Sequence, residues 1–467
     1  EVIVDIAHSE VDKIFEYRAG ENVRAGSRVK VPFSRGVADG YVMRLKETSD
    51  FSADRLKNIL SVVDEIPVLT EECLQLAYSI AERYKCPKAL VLRLFLPAEM
   101  RKGGVRELYK SVAVYRKDCE LSARANKQLS ALEFIRENGR FDYTALCEKF
   151  GRAAVNALAE KGAIALEKQR VARSPYKDVE GEHEERALTD AQKKTVEGIL
   201  ASNKTVHLVH GVTGSGKTEI YLTLIKKMLE EGKSAIFLVP EISLTPQMLS
   251  QLRAKFGHSV AIIHSGLSAG EKFDEWWRLR TGEAKIAVGA RSAVFAPVEN
   301  VGAIVVDEEH DGSYASETNP RYSTFEIAKF RAEYNGGKLI LGSATPSVET
   351  YLQAKEGKFG LYELPDRINA RPLPEIVTAD MRKEVRRGNN TPFSAALREE
   401  LEDCLAKGNQ AILFLNRRGF AQSVICRDCG YVAKCEACDV SLTYHSDENV
   451  LKCHYCGASY HMLSACP

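Results

Sequence analysis

The sequence predicts a multidomain α/β protein, and three observations carry that reading. The stretch Gly211-Val212-Thr213-Gly214-Ser215-Gly216-Lys217-Thr218 is a complete phosphate-binding loop set between a strand pattern and a helix pattern. From residue 206 onward, short β-branched apolar runs alternate with helical stretches, which predicts a doubly wound parallel sheet. Seven of the twelve cysteines crowd into residues 426–467, six of them as CxxC pairs.

Composition sets the bounds. A length of 467 residues suggests three or four domains, and 45% hydrophobic content supplies several cores. Lys and Arg total 65 against 64 Asp and Glu, so any nucleic-acid surface must be a local patch. No run of 18 apolar residues exists and no membrane span is expected. There is no secretion signal at the start, and the chain opens at Glu1 rather than Met, so preceding residues are expected. A reducing compartment follows, in which Cys73, Cys86, Cys119, Cys147 and Cys404 read as structural free thiols.

Residues 1–98 alternate apolar runs (Val2–Ile6, Arg28–Pro32, Gly40–Leu45) with turn residues and read as a small β-rich domain, followed by a helix over Glu71–Tyr84. Residues 107–173 carry helical patterns over Asn126–Glu137, Tyr143–Phe150 and Ala153–Lys161, the first with Leu129, Leu132 and Ile135 on one face. A strand pattern over Gly162–Leu166 follows. Three helices and a strand pair suggest a winged helix-turn-helix, with a plain helical spacer as the competing reading. Residues 174–187 form a polar, charge-dense linker. Strands are then expected at Val206–Val209, Ala235–Val239, Val260–Ile263, Lys285–Val288, Ala303–Val306, Lys338–Leu341 and Ala411–Leu415.

Chemistry gathers just after these apolar runs, where open parallel sheets hold their ligands. Gly211, Gly214 and Gly216 let backbone N–H groups turn toward phosphate oxygens, and the following helix, read over Glu219–Glu231, adds its dipole. Ile220, Leu224, Ile225, Met228 and Leu229 form its apolar face. Lys217 would reach the β- and γ-phosphates and Thr218 would sit on Mg²⁺. The competing reading is a simple glycine-rich turn. Asp307-Glu308-Glu309-His310 follows the run 301–306, and an acidic strand end downstream of such a loop completes a nucleotide-hydrolysing site. Asp307 would hold Mg²⁺ and Glu308 would polarise the attacking water. Ser343 and Thr345 of Gly342-Ser343-Ala344-Thr345-Pro346, with His310, could couple the γ-phosphate to a second surface, although the stretch taken alone reads as a tight strand-to-helix turn. Gln192 reads either as an adenine-binding amide or as an exposed helix-start residue.

In this order the motifs resemble superfamily 2 helicases. The segments DEEHDGSY at 307–314, GSATPSVETY at 342–351, LPEIVTADMRKE at 373–384 and the cysteine-rich run at 415–445 resemble the bacterial primosomal replication-restart helicases. The resemblance implies a RecA-like helicase lobe over 188–380, the start of a second lobe over 381–425 and a zinc-binding region over 426–467. It implies DNA contacts from Pro240–Thr245 and from Gly289–Ala293, including Arg291, with Ala290 where Thr is usual. It also implies that residues 1–98 capture a nascent-strand 3′ end through Phe15, Glu16, Tyr17 and Lys57. Glu16 stands where Asp is usual and Ser34 where Gly is usual. Phe15 and Tyr17 suit base stacking or a barrel core equally, and Trp276-Trp277 reads as core.

Cys426-x2-Cys429, Cys435-x2-Cys438 and Cys453-x2-Cys456 read as zinc knuckles rather than redox pairs, because no thioredoxin-like context surrounds them. The resemblance pairs Cys435, Cys438, Cys453 and Cys456 in one site. It assigns Cys426, Cys429 and Cys466 to a second site whose fourth ligand lies beyond Pro467, giving two Zn²⁺ per full-length chain. The cofactors implied are ATP, Mg²⁺ and Zn²⁺. The implied activity is ATP-dependent 3′→5′ DNA unwinding at stalled or abandoned forks, followed by primosome assembly. The implied partners are forked DNA with a nascent 3′ end, single-stranded DNA-binding protein and other primosome proteins, for a monomer in the bacterial cytoplasm at the nucleoid. Without the later second-lobe motifs, this piece is expected to bind ATP and DNA but not to unwind. A duplex-DNA translocase, an RNA helicase and a non-enzymatic zinc scaffold for replication proteins are the alternatives.

Overall fold

The computed structural model describes residues 1–467 except 50, 53–54, 102–104, 106–107, 123, 172, 174–186, 242–244, 369–371, 373, 390, 415–423, 427–428 and 446–447, and the side chain of Pro246. Two compact units emerge, Glu1–Arg371 and Pro372–Pro467.

The first unit opens with β1 (Val2–Val4), β2 (Arg28–Phe33), β3 (Gly36–Val42) and β4 (Ser61–Val62), an antiparallel sheet in the order β1-β3-β2-β4. Val2, Val4, Val29, Val31 and Val42 close its core. β3 begins earlier and ends sooner than the Gly40–Leu45 run predicts, because the tight turn at Ser34-Arg35 pairs Phe33 with Gly36. Val37 there is exposed and gives no apolar signal. Helices α1 (Glu71–Tyr84), α2 (Lys88–Leu92) and α3 (Ala98–Arg101) follow. The Thr70 hydroxyl caps α1 by accepting from the Cys73 N–H at 3.3 Å, which fixes its start where the sequence placed it.

Next come β5 (Tyr109–Tyr115), α4 (Asn126–Asn138), β6 (Arg140–Asp142), α5 (Tyr143–Phe150), α6 (Arg152–Glu160) and β7 (Ile164–Arg170). The three helices pack on an antiparallel sheet in the order β6-β5-β7 and enclose their own core around Ile135, Leu146, Val155 and Leu158. This is a winged-helix arrangement and not a helical spacer. Its strand pair joins β7 to β5, which precedes the helices. The sequence missed β5 because its first three residues are exposed. On α4 the inward face is Ala131, Leu132 and Ile135, while Leu129 is exposed, contrary to expectation. Residues 174–186 of the expected linker lie outside the described residues.

The remainder of the unit is α7 (Asp190–Ala201), β8 (Val206–Gly211), α8 (Lys217–Glu230), β9 (Ser234–Leu238), α9 (Pro246–Phe256), β10 (Val260–Ile263), α10 (Ala269–Arg280), β11 (Ile286–Gly289), β12 (Val301–Asp307), α11 (Thr324–Tyr334), β13 (Lys338–Ser343), α12 (Val348–Lys355) and β14 (Gly360–Leu364). The strands form one parallel sheet ordered β10-β11-β9-β12-β13-β8-β14. Alternate residues feed opposite faces. Ala303 and Val305 meet Ile220, Leu224 and Ile225 of α8, while Ile304 and Val306 join the cluster of Trp276, Trp277, Ile327 and Ala328. Both tryptophans are therefore core, as expected. Leu229 is only half-buried on the otherwise buried apolar face of α8. β14 escaped the sequence because it is an edge strand with only Gly360 and Leu364 fully buried.

The second unit contains α13 (Met381–Arg386), α14 (Ala395–Ala406) and an antiparallel meander of β15 (Thr443–His445), β16 (Val450–Lys452) and β17 (Ser459–His461). The strand expected at Ala411–Leu415 is absent over 411–414, where Ile412 is 96% exposed, and Leu415 lies outside the described residues. An apolar run with no sheet neighbour gains nothing by extending.

Candidate nucleotide, nucleic-acid and zinc sites

β8 ends at Gly211, and the loop that follows turns into α8 at Gly216, whose φ of +78° is left-handed. A Cβ at Gly216 would lie 2.3 Å from Gln192 Nε2, and one at Gly211 would lie 2.5 Å from Ser215 Oγ. Gly214 is also left-handed, at φ +83°. The loop thus needs its glycines both for backbone direction and for close approach. Lys217 Nζ donates to the Gly211 carbonyl at 2.8 Å, and Thr218 lies in the first turn of α8.

Gln192 is buried at 2% exposure, which corrects the reading of it as an exposed helix-start residue. It does sit at the start of α7, closing a capping box with Thr189. Its Oε1 accepts from the Thr189 N–H at 2.9 Å, and its Nε2 donates to the Ser215 carbonyl at 3.0 Å. The amide therefore braces the phosphate loop, its Nε2 also lying 3.4 Å from the Gly216 carbonyl.

The strand order β12-β13-β8 brings the acidic turn and the Ser343–Thr345 turn to the same edge as the loop. Asp307 ends β12. Tyr221 Oη donates to its Oδ1 at 3.2 Å, and Tyr314 Oη donates to its carbonyl at 2.7 Å. Burial pushes the Asp307 carboxyl above its ordinary range, and the neighbouring Glu308 charge adds to this. A half-buried carboxylate that resists carrying its charge alone suits a cation such as Mg²⁺. Glu308 has φ +47°, a strained conformation of the kind that clusters at functional sites. His310 Nδ1 lies 2.8 Å from Ser343 Oγ, which also accepts from the Thr345 N–H at 2.9 Å. His310, Ser343 and Thr345 are therefore brought together.

Sequence reasoning missed Tyr221, Tyr314 and Glu309. The Glu309 carboxylate accepts from Ser347 N at 2.7 Å, Ser347 Oγ at 3.2 Å and Thr350 Oγ1 at 3.1 Å, tying the acidic turn to the start of α12. The sequence carried no signal for these three residues, because the partners of Tyr221 and Glu309 are distant in the chain and a buried hydroxyl looks like any other core position.

Arg291 is half-buried, and its guanidinium donates to the Ser313 carbonyl at 3.0 Å and to that of Ala315, so it braces the loop after the acidic turn. Glu241 accepts from Ser265 Oγ at 2.7 Å, while residues 242–244 of the same motif lie outside the described residues. Near the N-terminus, Phe15 makes a single bridge to Val2 rather than entering a regular strand. Its ring packs edge-on against Phe33 at 5.2 Å, and Tyr17 Oη donates to the Pro32 carbonyl at 3.1 Å. Both rings are half-buried against the β-domain core. Glu16 accepts from Lys46 at 2.9 Å and from the Ser49 hydroxyl, and these bonds lower its pKa, that of Ser49 first. Glu16, Tyr17, Lys46 and Ser49 line a cavity of about 350 Å³. Lys57 is exposed. Ser34 adopts φ +53°, a physical reason for glycine to be usual there.

The cysteine knuckles share one backbone plan. The N–H groups of Gly430, Asp439 and Gly457 donate to the carbonyls of Cys426, Cys435 and Cys453 at 2.9, 2.8 and 2.8 Å, and all three donors have positive φ. The sulfurs of Cys435, Cys438, Cys453 and Cys456 lie within 4.8 Å of one another, as do those of Cys426, Cys429 and Cys466. Cys435 and Cys456 Sγ are 3.7 Å apart, against about 3.8 Å for thiolates around tetrahedral Zn²⁺ with Zn–S of about 2.3 Å. The first set fits Zn²⁺.

Residues 1–97 match the 3′DNA-binding domain (3′BD) family, 189–354 the DEAD/DEAH box helicase family, and 435–459 the PriA DNA helicase Cys-rich region. The chain is 39% identical to the replication restart protein PriA of Bacillus subtilis over 547 residues, covering 100% of this chain and 68% of that protein. It is 43% identical to the Synechocystis protein of the same name, over 68% of this chain and 39% of that one. It is 34% identical to the Haemophilus influenzae protein, over 96% of this chain and 62% of that one. The chain thus spans two thirds or less of the length of most of these relatives. Family matches at both ends, and similarity along the whole length between them, agree with the loop, acidic turn and knuckles described above: the chain belongs to the PriA family of replication restart proteins.

Proposed function

We propose that this chain is the nucleotide-hydrolysing and fork-recognising part of an ATP-dependent 3′→5′ DNA helicase that restarts replication at stalled or abandoned forks and initiates primosome assembly. The observation that carries the reading is the sheet edge where the phosphate loop, Asp307-Glu308 and Ser343–Thr345 converge, in the same compact unit as the 3′BD-like domain.

Lys217 leaves the Gly211 carbonyl to meet the β- and γ-phosphates, and the N–H groups around Gly214 and Gly216 cradle them. Bound Mg²⁺, held by Thr218 and Asp307, would neutralise phosphate charge. Glu308 orients and deprotonates the attacking water. His310, already bonded to Ser343, reports loss of the γ-phosphate to the Ser343–Thr345 turn. Gln192 supports the nucleotide pocket by bracing the loop. In the N-terminal domain, Glu16 accepts from a 3′-hydroxyl, Phe15 and Tyr17 meet the terminal base, and Lys57 serves the DNA backbone, as does Arg291 in the helicase lobe. Two Zn²⁺ ions are held per full-length chain, one by Cys435, Cys438, Cys453 and Cys456, the other with help from Cys426, Cys429 and Cys466. The reading extends to single-stranded DNA-binding protein and primosome proteins as partners of a cytoplasmic, nucleoid-associated monomer.

The test is ATP hydrolysis by the full-length protein with forks bearing a leading-strand 3′-hydroxyl, a 3′-phosphate or no nascent strand, and with plain duplex and RNA. Stimulation should be greatest with the 3′-hydroxyl, because a phosphate would face the Glu16 carboxylate. Equal stimulation by hydroxyl and phosphate ends removes the end-capture role. Greater stimulation by RNA removes the DNA-helicase reading.

A further inference from the structure

Tyr221 follows Lys217 by one helical turn of α8, so the helix that carries the phosphate loop also carries this phenol. Its side chain is fully buried, its ring packs against Phe237 of β9, and its hydroxyl donates to Asp307 Oδ1 at the end of β12 at 3.2 Å. β13 runs beside β12 in the sheet, and it leaves room for the hydroxyl at Gly342. A Cβ there would stand 1.6 Å from the Tyr221 hydroxyl and 2.6 Å from the ring carbon that bears it. Glycine at 342 is therefore the condition for the phenol to reach the carboxylate. The hydroxyl is the donor in this bond and the carboxylate oxygen the acceptor.

We propose that Tyr221 is a positioning residue for the nucleotide-bound divalent cation: it fixes the Asp307 carboxylate in register with the phosphate loop, through the gap left by Gly342. The proposal rests on the reading of Asp307 as the Mg²⁺-side carboxylate. A hydrogen bond to one oxygen sets the rotation of the carboxyl group, and the bond originates on the same helix that holds Lys217 and Thr218. The two halves of the site therefore move as one body. A residue that merely filled the core would need no hydroxyl here and no glycine opposite it.

The experiment is a Mg²⁺ titration of fluorescent ATP-analogue binding to the whole chain, with analogue binding in EDTA and the thermal transition measured alongside. Tyr221→Phe should raise the Mg²⁺ concentration for half-maximal binding about tenfold, the scale of one hydrogen bond to a charged group. Binding in EDTA should stay within about twofold. Gly342→Ala, which displaces the hydroxyl without altering either partner, should reproduce the defect. A folded Tyr221→Phe protein with the wild-type Mg²⁺ requirement overturns the proposal. Asp307→Ala separates the two levels. If it too keeps the wild-type requirement, the Mg²⁺ reading of Asp307 fails. If it alone is defective, that reading stands and the positioning role falls.

Discussion

Glu308 holds its carboxylate at the sheet edge by accepting a left-handed backbone at φ +47°, which costs an L residue about 1–2 kcal/mol. Retention of that strain in the turn after Asp307 is understandable if the side chain must face the γ-phosphate. Glu308→Gln keeps size and backbone, and should leave nucleotide affinity near wild type while lowering hydrolysis by about 10²–10⁴ in the full-length protein. Lys217→Ala should do the reverse in a binding assay, losing Mg²⁺-nucleotide affinity outright. Hydrolysis by Glu308→Gln at the wild-type rate would remove its water-activating role. At this scale the sequence showed the residues whose chemistry needs a fixed spacing, such as Lys217 after Gly216 or the paired cysteines. It could not show Tyr221 or Glu309. Their partners, Asp307 and Ser347, are distant in sequence, and the bonds exist only once β12, β13 and α8 are side by side.

Among the elements, β8 carries a liability that predicts a pH dependence. His207 is fully buried on this strand, between β13 and the edge strand β14, and its Nε2 donates to the Lys204 carbonyl at 3.0 Å. Burial lowers its pKa from 6.5 to about 4. Its Nδ1 has no partner among the described residues, and a Cβ on Gly360 would lie 2.5 Å from it, so an added proton would find no acceptor there. Because the folded pKa lies below the unfolded one, the unfolded chain binds more protons between them. Stability should hold above pH 6.5 and fall as pH drops toward 4, by roughly 3 kcal/mol in all. Urea midpoints across that range would show it, and His207→Gln should flatten this component whatever its own stability. The zinc ribbon predicts a different response. Its small core of Ala433, Leu442 and Leu451 surrounds Cys435 and Cys453, so metal and core are one structure. Chelation should unfold the ribbon before the Glu1–Arg371 unit melts, with zinc leaving the four-cysteine site last. Elemental analysis that finds iron, or no metal, would end the zinc reading. Periodicity located most elements correctly, including α1, α5 and β10 to the residue. It failed at β5 and β14, which lie partly in solvent, and at 411–414, whose apolar run meets no sheet.

For the molecule as a whole, the decisive contact is a buried ion pair between α1 and α11. Arg331, fully buried, donates to Glu72 at 2.5 and 3.3 Å and to the carbonyls of Val294, Ala296 and Val298 at 2.7, 2.9 and 3.1 Å. Every guanidinium proton has an acceptor. Glu72→Ala would strand that charge and should cost about 3–5 kcal/mol, read as one cooperative shift of the Glu1–Arg371 transition. A separate early melt of the N-terminal segment alone would contradict it. Neither the pair nor its partners could be read from sequence, since residues 72 and 331 are joined only by the packing of the whole unit. The same seam includes Trp276, whose Nε1 donates to the Phe95 carbonyl at 2.7 Å, and an apolar cluster running from Val68, Leu76 and Phe95 to Trp277 and Ile327.

That shared cluster has a bearing on inheritance. The 3′BD match stops at residue 97, as though a module had been joined to a motor at that point. Yet Trp276 and Phe295 share one buried cluster with residues before the boundary, Leu76, Leu92 and Phe95 among them. A segment recombined at such a border would arrive with its adhesive face unmatched, and so would the motor it left behind. A change on one side of this seam therefore has to be met by a compatible shape on the other.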